Sequence, residues 1–165
     1  MKKAPSRIIY PGTFDPITYG HVDLVGRALQ LFDEVVLAIA ADSTKRPLFS
    51  LEERKAMVEK SLARFGPKVK VKMFEGLLID FVRKEKSRAI LRGLRAISDF
   101  EFEFQMALMN RKLNDSIETL FLMPRGAYTY LSSTIIKEIG RLGGDLSAFV
   151  PDGVAKALRE KYNVK

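Results

Sequence analysis

A ten-residue loop near the N-terminus carries the residues whose types and spacing are best suited to chemistry. Gly12 to His21 reads GTFDPITYGH and lies between a short apolar segment and a helical pattern. Free N–H groups and the positive end of a helix dipole make such a junction a natural phosphate site. The loop has neither a GxGxxG nor a GxxxxGK pattern, so an ordinary dinucleotide site and a P-loop are not indicated. A single histidine near a helix start can also be a purely structural residue.

Two further segments carry groups that bind phosphate. Arg92 and Arg95 directly follow an apolar segment, and guanidinium forks favour phosphate. The alternative is a structural ion pair of either arginine with Asp99 or Glu101. Leu131 to Thr134 (LSST) opens a predicted helix with three successive hydroxyls, of which an ordinary N-cap needs only one.

Alternating strand and helix patterns must position these groups. Strands are predicted at 7–10, 34–40, 69–73, 89–91 and 119–123, with helices between them and two more near the C-terminus. Ser50 and Glu53 form a capping-box pattern for the second helix. Parallel strands need crossover helices, so the pattern predicts a single-domain, doubly wound α/β fold over residues 1–165 with a parallel five-stranded sheet. Ligands of such sheets bind at the carboxyl ends of the strands.

Composition narrows the class of protein. The 165 residues are 47% apolar and 29% charged, which is typical of one globular domain. The longest apolar run, Val35 to Ala41, is far shorter than a membrane span, and no signal-peptide core precedes it, so we expect a cytosolic protein without membrane contact. With no cysteine and one histidine, neither thiolate chemistry nor a His-rich metal site is available. The net charge of +8 fits a nucleic acid or a small anionic substrate.

The loop and the later blocks together resemble a known enzyme family. Thr18-Tyr19-Gly20-His21 resembles the T/HxGH motif of the nucleotidyltransferase superfamily, and PGTFDPITYGH is similar to its phosphopantetheine adenylyltransferase branch. The resemblance continues through the STKRPLF loop, the ILRGLRAISDFEFE block and LSST. Thr134 stands where this branch usually has serine, and Lys137 where related transferases often have arginine; both changes keep the chemistry.

The resemblance implies a Rossmann-like nucleotidyltransferase fold, transfer of AMP from ATP to 4′-phosphopantetheine, and a homohexamer. His21 would be the catalytic residue, as a donor to the α-phosphate. The implied ATP-binding residues are Thr13, Phe14, His21, Gly93, Leu94, Arg95, Glu103, Tyr128, Thr129, Tyr130, Leu131, Ser132, Ser133 and Thr134. The implied acceptor-binding residues are Thr13, Lys45, Leu77, Leu78 and Arg92. Mg²⁺ is expected as a cofactor of the ATP chemistry, held mainly by the nucleotide rather than by protein ligands.

Several interpretations stay open from the sequence alone. Lys45 is also typical of a solvated loop, and Leu77 and Leu78 of a helix core. Phe100, Phe102 and Phe104 alternate within a helical segment and cannot all face one side, so some are expected at a subunit contact. Another small-molecule nucleotidyltransferase would share the fold and His21. A nucleic-acid-binding module would use Lys68, Lys70 and Lys72 as a phosphate-contacting stripe, although no such binding is expected at physiological salt.

Overall fold

The computed structural model describes residues 6–41, 46–95 and 97–164, without the side chains of 97–99. Within these residues, five strands alternate with helices. The strands are β1 (Arg7–Gly12), β2 (Glu34–Ala40), β3 (Val69–Phe74), β4 (Ala89–Gly93) and β5 (Glu118–Leu122). The helices are α1 (Tyr19–Ala28), α2 (Leu51–Leu62), α3 (Leu78–Lys84), α4 (Ile97–Leu113), α5 (Ser133–Arg141) and α6 (Asp152–Tyr162). Every predicted strand and helix is present.

The five described strands form one all-parallel sheet in the order β3-β2-β1-β4-β5. The chain first builds outward from β1 to β3 and then returns to place β4 on the other side of β1. The strand order therefore reverses between β1 and β4, which is where open α/β sheets bind ligands. The predicted fold class is confirmed.

Apolar residues alternate between the two faces of the sheet and fill two cores. In β2, Val35, Leu37 and Ile39 face the larger core, which is covered by α1, α2, α5 and α6. Val36 and Ala38 face a smaller core that α3 covers with Ile79 and Val82. Because both faces of the central strands are buried, β2 is a nearly continuous apolar run rather than an alternating one. Among the described residues, no helix combines the length and the apolar character that crossing a membrane requires.

Element ends differ from the sequence prediction at a few positions. The first strand was expected to stop before Pro11, but Pro11 and Gly12 continue its register and pair with Ala38 and Ile39 of β2. Proline lacks a backbone N–H but keeps its carbonyl, so a proline near the end of a strand removes only one donor and the strand can continue through it. The helix that Ser50 caps ends at Leu62, and a 3₁₀ segment follows over Ala63–Lys68.

Candidate active site

The segments predicted to do chemistry meet in one cleft at the carboxyl ends of β1 and β4. The cleft has a volume of about 250 Å³ and lies where the strand order reverses. Of the predicted site residues, its wall contains Thr13, Phe14, His21, Arg92, Gly93, Arg95, Glu103, Tyr128, Leu131, Ser132, Ser133 and Thr134. Three stretches far apart in sequence are therefore brought together by the sheet topology.

The loop between β1 and α1 holds the ring of His21 in a fixed place. Thr18 is the N-cap of α1: its side chain accepts the backbone N–H of His21 at 3.4 Å, and its own backbone N–H donates to His21 Nδ1 at 3.0 Å. Phe14 has a φ of 49°, which is uncommon outside glycine, and its ring meets the ring of His21 edge-on with the centroids 5.2 Å apart. The histidine is thus the reciprocal partner in its own helix cap.

His21 is a neutral donor at physiological pH. Burial, with a smaller contribution from the positive charge of Arg95, lowers the pKa of His21 from 6.5 to about 4. Since Nδ1 accepts the N–H of Thr18, the single proton of the neutral ring is on Nε2. His21 lines the cleft, so the group it offers there is an uncharged N–H donor rather than a base or a cation.

At the end of β4, Arg92 is held in place by a carboxylate of α4. Its Nε and Nη2 donate to the two carboxylate oxygens of Glu103 at 2.6 and 2.5 Å, and its Nη1 donates to the carbonyl of Pro11 at 3.2 Å. Burial works against the charged form, but Glu103 outweighs it and raises the pKa of Arg92. For Arg92 the partner is thus Glu103 and not Glu101, one of the two residues considered as the alternative; the side chain of the other, Asp99, lies outside the described residues.

Gly93 and Arg95 join this end of β4 to α1 and α5. A Cβ atom at Gly93 would lie 2.5 Å from Cδ1 of Leu24, so a larger residue here would require the Leu24 side chain of α1 to move. Nη1 of Arg95 donates to the carbonyl of Leu131 at 3.0 Å, immediately before α5. The backbone N–H of Leu94 donates to the carbonyl of Leu122 in β5 at 3.0 Å.

The start of α5 offers more hydroxyls than a helix cap needs. Ser132 is the N-cap and accepts the N–H of Ile135 at 3.1 Å, while Ser133 donates to the carbonyl of Pro16 at 2.8 Å. Thr134 lies in the cleft wall with an exposed side chain. The first hydroxyl therefore starts the helix, the second ties it to the β1–α1 loop, and the third faces the cleft.

Some predicted site residues lie away from this wall. Leu94, Thr129 and Tyr130 flank wall residues in sequence without lining the cleft. Leu77 is 59% exposed just before α3, whereas Leu78 packs against the smaller core. Both follow β3 and so lie at the carboxyl edge of the sheet, two strands from the cleft. Lys45 lies outside the described residues.

Sequence reasoning missed two charged residues that support the cleft. Asp15 is buried, accepts the N–H groups of Leu48 and Phe49, both at 2.9 Å, and pairs with Nζ of Lys137 at 2.7 Å. Arg54 of α2 is 1% exposed and donates to the carbonyl of Thr13. A signal for Arg54 was available, since it falls four residues before Val58 on the buried stripe of α2.

The lysine stripe of β3 is part of an ion-pair ladder, which we define as Lys70, Glu34, Arg7, Glu85 and Lys72. Nζ of Lys70 lies 2.6 Å from Glu34, and Nζ of Lys72 lies 2.7 Å from Glu85. Arg7 contacts both carboxylates between them. Two of the three lysines proposed for a phosphate-contacting stripe are thus already paired with buried carboxylates.

Metal ligands are sparse in the part of the chain that the structure describes. It contains no group of three or more His, Asp or Glu side chains that could hold a metal ion. The two carboxylates of the cleft wall, Asp15 and Glu103, are each paired with a cation. A metal ion entering this cleft would have to bring most of its ligands with it, as the phosphates of a nucleotide do.

Comparison with known proteins identifies the family of this chain. The cytidylyltransferase-like family model matches residues 9–139, which include the β1–α1 loop and the start of α5. A phosphopantetheine adenylyltransferase of Methylacidiphilum infernorum is 55% identical over 94% of this chain and 90% of its own. One of Caldanaerobacter subterraneus subsp. tengcongensis is 52% identical over 93% of this chain and 96% of its own. The chain belongs to the phosphopantetheine adenylyltransferases of the cytidylyltransferase-like family. The resemblance of the chain to the phosphopantetheine adenylyltransferases is thereby confirmed.

Solved structures extend the fold beyond phosphopantetheine adenylyltransferases. A bifunctional NMN adenylyltransferase/ADP ribose pyrophosphatase of Francisella tularensis superposes with a TM-score of 0.71 at 16% identity. The match covers 97% of this chain and 51% of that protein. At this identity the likeness concerns the fold alone. The doubly wound sheet of the phosphopantetheine adenylyltransferases is therefore shared with more distant transferases, and the residues of the cleft have to carry any argument about substrate.

Proposed function

We propose that this protein transfers the AMP group of ATP to 4′-phosphopantetheine, giving dephospho-coenzyme A and pyrophosphate. The observation that carries the mechanism is the neutral Nε2–H of His21, placed at the switch point of the sheet between the β1–α1 loop and two arginines. The identity of the acceptor is supported by the family to which the chain belongs.

The reaction needs alignment and charge stabilisation more than acid–base chemistry. An oxygen of the acceptor's phosphate, already anionic near neutral pH, forms a bond to the α-phosphorus as the bond to the β-phosphate bridging oxygen breaks. The electron pair leaves with pyrophosphate, so the protein need not remove a proton. This agrees with a cleft that offers donors and cations, in a chain that has no cysteine and one histidine.

His21 would act on the charge that develops at the α-phosphate. A donor held in place before the reaction stabilises developing charge without a cost of reorganisation. The Thr18 cap fixes the ring, and the low pKa keeps the histidine neutral, so that it donates without forming a tight ion pair with ground-state ATP. We assign the catalytic role to His21 on these grounds.

The remaining cleft residues divide into an ATP side and an acceptor side. On the ATP side, the donors at the start of α5 would hold the β- and γ-phosphates, as helix N-termini do. The proposed ATP-binding residues are Thr13, Phe14, His21, Gly93 to Arg95, Glu103 and Tyr128 to Thr134. Arg92 and Lys45 would grip the phosphate of the acceptor, with Thr13 between the two substrates and Leu77 and Leu78 beside the pantetheine arm.

Mg²⁺ is proposed to arrive as the ATP complex. The paired state of Asp15 and Glu103 leaves no dedicated carboxylate cage among the described residues, and this fits an ion held mainly by phosphate oxygens. When bound, the ion neutralises charge on the polyphosphate. The residues suited to the same anionic charge are Arg95 and the hydroxyls of Ser132 to Thr134.

A homohexamer in the cytoplasm is the proposed state of the protein. Helix α4 exposes apolar side chains along its length, and this is more than a soluble monomer usually shows on one element. The exposed residues are Phe100, Phe102, Phe104, Met106, Leu108, Met109 and Leu113, with exposed fractions of 43% to 63%. Sedimentation equilibrium should give six times the mass of the chain, and Phe102→Glu should lower that mass. A wild-type monomer would reject this state.

The activity is tested by incubating the protein with Mg-ATP and 4′-phosphopantetheine while following pyrophosphate and dephospho-coenzyme A by mass spectrometry. Nicotinamide mononucleotide and glycerol 3-phosphate serve as alternative acceptors. We expect product from phosphopantetheine only. Turnover of another acceptor would support the transfer chemistry but show that the acceptor is a different molecule. No turnover of any acceptor would reject the proposal.

Variants of His21 test the donor role within the same assay. His21→Asn can replace Nδ1 at the helix cap but not Nε2, so kcat should fall by about 10² to 10³, the usual effect of removing one such donor. His21→Gln can place an uncharged N–H near the Nε2 position and should lose less. Equal losses in the two variants would contradict the assignment of the Nε2 proton.

A further inference from the structure

Arg54 is a fully buried cation with no place in the chemistry described so far. It lies in α2 and is 1% exposed, although a charge is rarely buried without compensation. Its Nη1 donates to the carbonyl of Thr13 at 2.8 Å and to the carbonyl of Ala40 at 3.0 Å. Its Nε is buried without a hydrogen-bond partner among the described residues.

The two carbonyls that Arg54 binds belong to the edge of the sheet where the cleft lies. Thr13 directly follows β1, and Ala40 is the last residue of β2. Strand ends leave carbonyls without a ladder partner, and one guanidinium group here satisfies a carbonyl from each of two neighbouring strands. Arg54 therefore fixes how the chain leaves β1 and β2.

Asp15 extends this support to the other walls of the cleft. Its carboxylate accepts the N–H groups of Leu48 and Phe49 and pairs with Lys137 of α5, and its negative charge also acts on Arg54. Arg54, Asp15 and Lys137 thus form one charged cluster, with Asp15 and Lys137 in the cleft wall and Arg54 outside it. Its contacts reach the β1–α1 loop, the end of β2, the segment before α2, and α5.

Arg54 does more than fill space at this position. Removing one member of a buried charged cluster usually destabilises a protein, because the groups that it leaves behind stay buried without their partner. The stripe of α2 that includes Val58 and Leu62 already packs against the larger core, so methionine would suit position 54. A feature that no apolar side chain provides is the simultaneous hold of Nη1 on two carbonyls.

We propose that Arg54 is a positioning residue for the acceptor side of the transfer reaction, holding Thr13 and the end of β2 in register. The inference rests on the proposed function, in which Thr13 lies between the two substrates and Lys45 contacts the acceptor. Lys45 follows Ala40 by five residues in the chain, so the direction in which β2 ends sets where this segment begins. Apart from Thr13, the ATP side depends on other contacts, because Thr18 holds His21 and Ser132 starts α5.

The kinetic test compares Arg54→Met and Arg54→Lys with Lys60→Met, a control at an exposed position of the same helix. Constants are expressed per folded molecule, with the folded fraction taken from thermal unfolding. In Arg54→Met, kcat/KM for 4′-phosphopantetheine should fall about 100-fold, as a displacement of about 1 Å can cause, while KM for ATP changes less than about threefold. Arg54→Lys should fall between Arg54→Met and Lys60→Met, since an ammonium group can donate to both carbonyls but sits on a more flexible stem than the planar guanidinium.

Arg54→Lys carries the test if Arg54→Met does not fold. Unchanged constants per folded molecule would show a structural role only, and an equal loss for both substrates would place Arg54 on neither side; either result overturns the proposal. Inactive wild-type and Lys60→Met proteins would instead reject the proposed function. Amide hydrogen exchange of Arg54→Met or Arg54→Lys then tests the positioning role without activity. Compared with wild type, exchange should be about tenfold faster at Thr13 and Ala41 but not at Thr18. The same change at all three residues would overturn the positioning role.

Discussion

The cleft and the ion-pair ladder both concentrate positive charge, yet they differ in how that charge is used. In the ladder, Lys70 and Lys72 close onto Glu34 and Glu85, whose side chains are buried beneath them. In the cleft, Arg92 is also paired, but its carboxylate partner holds it beside an open volume and an uncharged donor, His21. The comparison teaches that the position of the carboxylates, rather than the net charge of +8, decides which cations can meet a ligand.

The largest expected difference between the two regions is in catalysis. Arg92→Met removes the proposed grip on the acceptor phosphate and leaves Glu103 without its partner, so kcat/KM for phosphopantetheine should fall by about 10² to 10³. Lys72→Met removes a cation from the ladder and should change kcat/KM for phosphopantetheine less than about twofold. Steady-state kinetics of the two variants checks this. Equal losses would erase the distinction between the regions.

The ladder should matter for stability instead. Glu34→Gln leaves Arg7 and Lys70 beside a neutral, largely buried side chain, and breaking a buried pair in this way costs about 3 kcal/mol of the free energy of unfolding. Urea denaturation at pH 7 measures the loss, and kcat of the folded enzyme should stay unchanged. Glu52→Gln, at an exposed position of α2, is the control and should cost well under 1 kcal/mol.

Acid should weaken the two regions in separate pH windows. Burial lowers the pKa of His21 to about 4, so the unfolded chain, with a pKa near 6.5, binds the proton first. The contribution of His21 is complete above pH 6.5 and is lost as the pH falls towards 4, by about 2 kcal/mol between pH 6.5 and 5. Denaturation of wild type and His21→Gln across this range isolates the effect, and parallel curves would contradict it.

The ladder titrates lower. Burial raises the pKa of Glu34, but hydrogen bonds from Lys70 and Arg7 outweigh this and lower it below its usual 4.5. The contribution of Glu34 to stability is therefore lost only as the pH falls below that value.

Because the chain has one histidine, proton NMR can follow the titration of His21 without ambiguity. A midpoint near 6.5 in the free protein would refute the neutral-donor assignment, and added Mg-ATP should raise the midpoint.

The smallest effect is expected from the exposed end of the ladder. The side chain of Lys70 is 47% exposed, and ion pairs with an exposed partner contribute about 0.5 kcal/mol or less. Lys70→Met should therefore change neither the unfolding midpoint nor turnover by a clear margin. A large loss of affinity for RNA or DNA in this variant, measured at physiological salt, would revive the nucleic-acid interpretation of the stripe.

The sequence predicted the elements that follow from local pattern. The apolar run of β2, the Ser50–Glu53 capping box and the alternating lysines of β3 each determine one element, and the family motif located the cleft residues. The strand order puts β3 at the edge of the sheet, which agrees with the alternating lysines on one of its faces.

Pairings between distant segments could not be predicted in this way. Nothing local shows that Arg92 would meet Glu103 rather than Glu101, because both fall on the following helix and the choice depends on how α4 packs. Asp15 and Lys137 are 122 residues apart, and only the closed fold brings them together. Arg54 was signalled by its place on an apolar stripe, but its partners are backbone carbonyls, which have no sequence identity.

The Thr18–His21 cap makes the formation of a helix and the preparation of a catalyst one cooperative event during folding. The N–H of Thr18 needs Nδ1 of His21 as its acceptor, and the same hydrogen bond places the ring proton on Nε2. A folding chain that completes the first turn of α1 has therefore also selected the tautomer, with no later maturation step. Conversely, one protonation of Nδ1 by acid removes both the hydrogen bond from the Thr18 N–H and the catalytic form of the ring.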